Sequence, residues 1–282
     1  MTQGYITIAA KSTDNMQIQQ AVLLASSIKK FDKEREFTLL VDSFDSVPKK
    51  YEDAFDTIIE LPYGVFDPTE DVMLNAWQVY GSSPYEQTMF IDRRTIFLSN
   101  IDDMWDNLSG NYLTLPKQAY NFKGEPNNGK YRFIVHERND IPQYWDSVMY
   151  FEKSECTEQF FKMFDVVLKD FRRIYLKFIE ENRPGYFDYN LLVNITLKML
   201  GEQDNIHGDI PFTMLSLDNI TTDDDDLPAD WCDYLNSWYS NGMLKINNHR
   251  QSGIVCYNSD NFLDDDILDD HRRYIRENRI EI

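Results

Sequence analysis

The chain opens with a pattern of apolar and polar positions that predicts a strand, a helix and a second strand. Residues 4–10 form a short β-rich run, and residues 37–41 form another. Between them, apolar residues from Ile18 to Ile28 recur at the spacing of one helix face. This order is typical of the parallel part of an α/β sheet, where a helix connects neighbouring strands.

Similar patterns continue to the end of the chain. They predict a short helix over 48–55, a strand over 57–61, a helix over 69–80, a strand over 89–91, an apolar run over 96–98, a strand over 145–151, a helix over 158–179, a helix over 191–200, a strand over 210–217, a short aromatic helix over 231–238 and a helical tail over 262–282. No internal repeat is visible. We therefore expect one α/β domain with a mixed sheet flanked by helices.

Composition narrows the classes of function. The 282 residues carry a formal net charge of −20, which opposes general binding to DNA or to an anionic membrane. No apolar run reaches the ~20 residues that a membrane-spanning helix needs, and the N-terminus lacks the pattern of a signal peptide. The three cysteines are far apart and lack metal-ligand spacing. We therefore expect a reduced, cytoplasmic protein with no membrane partner.

The first candidate site follows the predicted strand over 89–91. Asp92 ends this strand, and Arg93 and Arg94 come next. Ligands bind at the carboxyl ends of strands in open α/β sheets, and a guanidinium can hold a diphosphate with two hydrogen bonds. The alternative is that both arginines are surface charges and that Asp92 caps a turn.

This stretch resembles the strand and Asp-x-Asp segment of GT-A-fold glycosyltransferases, above all those of family 8. In that family the two aspartates hold a divalent metal, Mn²⁺ or Mg²⁺, which carries the diphosphate of a nucleotide sugar. The resemblance implies a UDP-sugar or another nucleotide sugar as donor. Asp92 matches the first aspartate, whereas Arg94 takes the place of the second and offers a guanidinium instead of a metal ligand.

The resemblance also assigns the two halves of the chain. Residues 1–110 correspond to the half that binds the nucleotide sugar, and residues 111–282 to the half that holds the acceptor and the C-terminal helices. Ala9 and Ala10 follow the first strand and Asp42 follows the second, so the resemblance makes all three nucleotide contacts. For Asp42 the alternative is a helix cap or a turn residue.

Two further aspartates match places where the family contacts the donor sugar. Asp146 begins an Asp-Ser-Val-Met run that loosely matches the family's asn-ser-gly-val-met motif, and Asp188 precedes an apolar helical run. The resemblance makes them the candidate catalytic residues. Asp188 has the spacing of a helix N-cap as well, and a cap can also face a cleft.

A late stretch matches the family segment that crosses the pyrophosphate. His249 and Arg250 lie a few residues before Gly253, close to Lys245. The resemblance gives His249 a metal-binding role together with Asp92. A phosphate clamp formed by His249 with Lys245 and Arg250 is the alternative from the residues themselves, and a packed or surface histidine is another.

A basic segment over 116–138 contrasts with the acidic chain. It carries five cations against two acids, with aromatic residues between them and a tip rich in glycine and asparagine. Cations contact phosphates and aromatic rings stack on bases or sugars, so we expect acceptor binding here. The candidate acceptor-binding residues are Lys117, Lys123, Lys130 and Arg132. The alternative is a solvated hairpin.

Within the family, the layout is most similar to the enzymes encoded by tailed bacteriophages. The shared features are the opening strand, the Ser-Pro-Tyr-Glu sequence before Asp92 and the Asn-His-Arg-Gln sequence near the end. The resemblance suggests duplex DNA with hydroxymethylated cytosine as acceptor, in the host cytoplasm. A protein or polysaccharide acceptor is one alternative. A binding protein that retains the fold without the chemistry is the other.

Overall fold

The elements of the fold are taken from a computed structural model, which describes residues 2–12, 15–66, 71–127, 135–179, 188–216, 230–240, 242–263, 267–270 and 273. The strands are β1 (Gln3–Ala9), β2 (Glu36–Val41), β3 (Thr57–Glu60), β4 (Gln87–Ile91), β5 (Thr95–Phe97), β6 (Leu113–Thr114), β7 (Ala119–Tyr120), β8 (Val148–Glu152), β9 (Phe212–Met214), β10 (Ser237–Ser240), β11 (Met243–Ile246), β12 (His249–Arg250) and β13 (Ile254–Cys256). The helices are α1 (Met16–Phe31), α2 (Lys49–Glu52), α3 (Val79–Ser82), α4 (Asp102–Leu108), α5 (Glu155–Lys169), α6 (Phe171–Phe178) and α7 (Tyr189–Leu200). Short 3₁₀ helices cover Phe44–Ser46, Val72–Gln78, Glu137–Asn139 and Trp231–Asp233. Among the described helices, none combines the length and the apolar character needed to cross a bilayer.

A six-stranded mixed sheet, ordered β3-β2-β1-β4-β8-β6, forms the centre of the fold. β1 is parallel to β2 and β4, and β2 is parallel to β3, whereas β8 is antiparallel to both β4 and β6. Ile6 and Ile8 of β1 pack into one hydrophobic cluster, and Tyr5 and Ala9 pack into another on the opposite face. Burial on both faces explains why these strands are nearly continuous apolar runs in the sequence.

The strand directions define one edge of this sheet. β1, β2, β3 and β4 are parallel, and β6 runs in the same direction because it, like β4, is antiparallel to β8. All five strands therefore end at the same edge, which we call the carboxyl edge. The start of β8 lies at this edge too, because Ile91 pairs with Val148.

A second sheet, ordered β5-β13-β9-β7, brings the late part of the chain to the carboxyl edge. Cys256 of β13 pairs with Thr95 of β5, shortly after Asp92. The backbone N–H of Tyr257 donates to the carbonyl of Arg94 at 2.9 Å. Residues far apart in sequence thus pack beside the first candidate site.

The helix predicted over 69–80 differs in the structure. Residues 67–70 lie outside the described residues, and from Val72 to Gln78 the chain forms a 3₁₀ helix that continues into the short helix α3. The Asp71 side chain accepts from the Met73 N–H at 3.0 Å, and the Asn75 side chain donates to the Val72 carbonyl at 3.0 Å. Short polar side chains that bond nearby backbone groups compete with α-helical bonding, which accounts for the tighter turn.

Two other predicted helices were wrong in their extent. The helix over 158–179 is divided at Asp170 into α5 and α6, and the Asp170 carbonyl begins the second helix by accepting from Ile174 N–H.

The aromatic helix over 231–238 is one 3₁₀ turn followed by strand β10. Aromatic side chains favour a strand that can pair, and β11 supplies that partner after Gly242, whose φ is 71°. Residues 274–282 of the predicted tail lie outside the described residues.

The first turn of α5 allows a test of the local structure. The Ser154 hydroxyl accepts from the Thr157 N–H at 3.2 Å and so caps the helix. We expect Ser154→Ala to lower the free energy of unfolding by about 1 kcal/mol, because the first turn of α5 loses its cap. Urea unfolding followed by circular dichroism measures this change. Ser237→Ala, on an exposed strand position, is the control, and equal losses in both variants would contradict the capping role.

Candidate functional site

The candidate site forms where β4 and β8 meet at the carboxyl edge. The Asp92 N–H donates to the Ser147 carbonyl at 2.8 Å, which continues the pairing between Ile91 and Val148. Asp92 therefore lies beside the segment that carries Asp146. The sequence predicted both aspartates as site residues, and the sheet register brings them together.

Asp92 and Arg94 form a two-point ion pair. Arg94 Nη2 lies 2.8 Å from Asp92 Oδ2, and Arg94 Nε and the Arg94 backbone N–H both donate to Oδ1, at 3.2 and 2.8 Å. Burial raises the pKa of Asp92, but the Arg94 charge outweighs it and lowers that pKa to about 2. Burial lowers the pKa of Arg94, but the charge and the hydrogen bonds of Asp92 outweigh it and hold that pKa above its usual value. The pair is therefore ionised at every ordinary pH.

A second layer of polar side chains supports this pair. Asp71 Oδ2 lies 3.4 Å from Arg94 Nη2, and Asp71 Oδ1 lies 3.4 Å from Arg93 Nη1. Arg93 Nε also donates to Gln20 Oε1 at 3.0 Å. Arg93 is thus buried and bonded within the protein, so the alternative that it is a surface charge is wrong. It fixes α1 and the loop before the 3₁₀ helix against the site.

Asp92, Asp146 and Asp188 interact electrostatically. Burial, then the charges of Asp188 and Asp92, raise the pKa of Asp146 to about 7, while a hydrogen bond from Asn190 opposes the shift. The Asp188 side chain accepts from the Leu191 N–H at 3.2 Å and caps α7. Its two predicted roles, cap and site residue, are therefore compatible in space. A carboxyl with a pKa near neutrality can hold a proton at a site where its neighbours are anionic.

Ala9, Ala10 and Asp42 lie at the carboxyl edge, one and two strands away from Asp92. Ala9 ends β1 and is buried, and the Ala10 N–H donates to Gln17 of α1 at 2.9 Å. Asp42 follows β2 and accepts from the Lys11 N–H at 3.1 Å, which joins the two strand ends. Asp42 therefore acts as a turn residue, which was the alternative to a nucleotide contact. The nucleotide contacts stay a prediction.

His249 and Arg250 point to opposite faces of the hairpin formed by β10, β11 and β12. His249 pairs with Ile246, on the face that packs towards the core, and its ring meets Phe122 edge-on at 5.5 Å. Arg250 pairs with Lys245, whose ammonium lies 5.6 Å from the Trp238 ring on the exposed face. Neighbouring side chains of a strand alternate in direction, so a single phosphate clamp formed by His249, Lys245 and Arg250 does not fit this geometry, although Lys245 and Arg250 share one face.

The described residues do not fit a divalent metal at Asp92. Both Asp92 oxygens are bonded to Arg94, and no group of three His, Cys, Asp or Glu side chains within the described part of the chain could hold an ion. Divalent cations of the Mn²⁺ and Mg²⁺ type prefer several oxygen ligands. The Arg94 guanidinium thus bonds both oxygens that Asp92 would need to bind a metal ion.

The acceptor-binding residues separate into two pairs. Lys117 and Lys123 are exposed, and the Lys123 ammonium lies 5.6 Å from the Phe122 ring. Lys130 and Arg132 lie outside the described residues. The described parts of the basic segment, 116–127 and 135–138, carry three cations against two acids, a smaller local charge than that of the whole segment.

Two tyrosines of the site were missed by the sequence analysis. The hydroxyls of Tyr189 and Tyr257 are buried and have no hydrogen-bond partner among the described residues. Burial and nearby carboxylates, including Asp92, raise the pKa of both. Unpaired buried hydroxyls are uncommon and point to a polar group that completes them. The adjacency of Tyr189 to Asp188 was the only sequence signal for either residue.

Comparison with solved structures identifies the fold. The galactosyltransferase LgtC, solved with donor and acceptor sugar analogues, matches with a TM-score of 0.51 and 12% identity over 97% of this chain and 94% of LgtC. The chain has a GT-A-type glycosyltransferase fold. This result confirms the predicted mixed α/β sheet flanked by helices. Membership of family 8 and the phage origin stay predictions.

Other solved structures match less closely. Mouse xyloside xylosyltransferase 1 gives a TM-score of 0.49 at 12% identity, over 77% of this chain and 89% of that enzyme. The bifunctional glycosyltransferase WbbM gives 0.43 at 13% identity over 70% of this chain, which spans only 37% of WbbM. No protein-family model and no curated protein sequence match the chain.

Proposed function

We propose that the protein is a glycosyltransferase that uses a nucleotide sugar. The observation that carries the proposal is the cluster of Asp92, Arg94, Asp146 and Asp188 at the carboxyl edge of a GT-A-type sheet. Ligands of open α/β sheets bind at this edge. In this proposal residues 1–110 hold the nucleotide, and residues 111–282 present the sugar and the acceptor, in the cytoplasm.

Arg94 binds the diphosphate of the donor in place of a metal ion. Its contacts with the described residues use Nε and Nη2, so the N–H groups of Nη1 remain to donate to a phosphate oxygen. Its side chain is 20% exposed, so a ligand can reach it. A fixed guanidinium stabilises the negative charge that develops on a departing diphosphate.

The carboxyls then hold the donor sugar. Asp146 is protonated over part of the neutral range, so it can both donate to and accept from a sugar hydroxyl. Tyr189 and Tyr257 offer two further hydroxyls next to this group. In the transfer, an acceptor hydroxyl oxygen bonds to the anomeric carbon while the bond from that carbon to the diphosphate breaks. The electron pair leaves with the diphosphate, and the hydroxyl proton passes to the diphosphate or to solvent.

Donor binding without metal is the direct test. We expect UDP-glucose, UDP-galactose or another nucleotide sugar to bind in calorimetry, with an affinity that changes less than about tenfold on addition of EDTA, since Arg94 already bonds both oxygens of Asp92. The nucleotide diphosphate alone is the control for the contribution of the sugar. If no nucleotide sugar binds, the proposal fails. If binding disappears in EDTA and Mn²⁺ restores it, Arg94 does not replace the metal.

The acceptor predicted from the sequence, hydroxymethylated duplex DNA, has a separate test. The basic segment supports DNA as the acceptor, and its residues Lys117 and Lys123 are described in the structure. The net charge of −20 argues against DNA. DNA binding should weaken steeply with salt because it releases counterions. If such DNA is the acceptor, Lys123→Glu with Lys130→Glu lowers transfer to it without changing donor hydrolysis. Equal transfer by the wild type and this variant would remove the segment from the acceptor site.

A further inference from the structure

A cavity of about 320 Å³ opens near the carboxyl edge, to one side of the candidate site. Its lining includes Lys117, Asp140, Gln143, Tyr144, Gln203 and Asp204. The volume is at the lower end of the roughly 300–1,000 Å³ that small-molecule sites occupy. The cavity therefore suits a small ligand or the end group of a larger one.

Two chain segments place the cavity next to the proposed sugar site. Lys117 comes shortly after β6, which ends at the carboxyl edge, and Tyr144 comes two residues before Asp146. The Trp145 N–H donates to the Pro116 carbonyl at 2.8 Å and holds these segments together. A ligand in the cavity would thus lie at the same edge of the sheet as Asp146.

Asn190 links the cavity wall to the aspartates directly. Its side chain donates to the Tyr144 carbonyl at 2.9 Å and also bonds Asp146. The Tyr144 N–H donates to Asn194 Oδ1 at 2.9 Å, and the Tyr144 hydroxyl donates to the Gln203 carbonyl at 2.8 Å. The tyrosine ring is therefore fixed at both ends, as a surface on which a ligand could stack.

The chemistry of the lining favours a neutral, polyhydroxylated ligand. Gln143 and Gln203 supply amide donors and acceptors, and Asp140 and Asp204 supply acceptors for hydroxyl groups. A sugar ring presents hydroxyls around its rim and an apolar face that packs on an aromatic ring. The charged lining residues are Lys117, Asp204 and Asp140, and Asp140 is paired with Lys198 at 3.2 Å, so the lining carries little net charge and favours a neutral ligand over a phosphate backbone.

We propose that this cavity is the acceptor subsite and that the acceptor is a neutral sugar. The proposal rests on the proposed glycosyltransferase function and narrows it to transfer onto a saccharide. Tyr144 forms the stacking surface, Gln143 and Asp204 bond the hydroxyls, and the acceptor hydroxyl that reacts faces Asp146. The basic segment contributes Lys117 to the cavity rim and no nucleic-acid contact.

Binding of methyl α-glucoside and methyl β-galactoside, measured by saturation-transfer NMR at millimolar concentration, tests the proposal. The variant carries Gln143→Ala with Asp204→Ala, two changes at partly or fully exposed side chains. We expect its sugar affinity to fall about fivefold or more, since each lost hydrogen bond accounts for roughly that factor. Its affinity for UDP-glucose should stay unchanged, because neither residue touches the aspartate cluster.

The matched control carries Asp106→Ala with Asn107→Ala, which removes one exposed acid and one exposed amide from α4. Sugar binding that is lost in the variant and retained in the control supports the proposal. Equal sugar affinity in the variant and the wild type overturns it, and so does the absence of binding by either sugar. A duplex DNA that displaces the sugars at low salt would also overturn it and would return the acceptor to nucleic acid. If the sugars bind but no nucleotide sugar does, the glycosyltransferase function fails while the sugar site stands.

Discussion

Arg94→Ala should abolish detectable donor binding and lower the free energy of unfolding by about 3–5 kcal/mol, because it leaves the buried Asp92 charge without its partner. Arg94 makes three bonds to Asp92 and a longer contact to Asp71. The backbone bond survives the substitution, whereas both guanidinium bonds are lost. Calorimetry with UDP-sugars and urea unfolding measure the two effects on the same preparation.

Two comparison variants separate the loss of binding from the loss of stability. Arg94→Lys retains the charge but not the two parallel bonds, so we expect intermediate stability and weak donor binding. Arg35→Ala removes another half-buried guanidinium, which bridges Asp32 and Asp102 at 2.7 Å each, away from the carboxyl edge. It should destabilise the protein without changing donor affinity. Donor binding by Arg94→Ala as tight as that of the wild type would exclude Arg94 from the diphosphate site.

The sequence was sufficient to predict the central part of the site, for a physical reason. Strands β2 and β4 are apolar runs that are followed directly by an aspartate, and parallel strands place those ends at one edge. Asp42 and Asp92 follow from that rule. Helix capping predicts the cap at Asp188, since the residue before an apolar helical run bonds free backbone N–H groups, whereas the site role of Asp188 comes from the family resemblance.

The pattern of apolar and polar residues could not predict contacts between segments that are distant in the sequence. Asp71 and Gln20 reach Arg93 from two different elements, and no periodicity marks either as a site residue. The opposite directions of His249 and Arg250 depend on their pairing with β11, which the local sequence does not define. The wrong helix over 231–238 has the same cause, because β10 exists only by pairing with β11.

The protonation of Asp146 gives a prediction with a definite sign. Burial and the charges of Asp188 and Asp92 raise its pKa to about 7, against about 3.9 in an unfolded chain. Between pH 4 and pH 7 the folded state therefore holds a proton that the unfolded state has released. The free energy of unfolding must fall as pH rises through this range, because the folded state binds more protons.

Asp146→Asn removes this dependence, since an amide does not titrate. A shift of three pKa units corresponds to a free energy of about 4 kcal/mol. Because Asp146 is partly exposed, solvent screens its interactions, and we expect about half of this free energy. Relative to the wild type, the variant should therefore gain about 2 kcal/mol between pH 4 and pH 8. Urea unfolding at intervals across this range measures the difference.

Asp106→Asn, at an exposed carboxyl of α4, provides the baseline. Stability curves for Asp146→Asn and the wild type that run parallel from pH 4 to pH 8 would show that Asp146 is ionised in the folded protein, and that it cannot donate a hydrogen bond to the sugar.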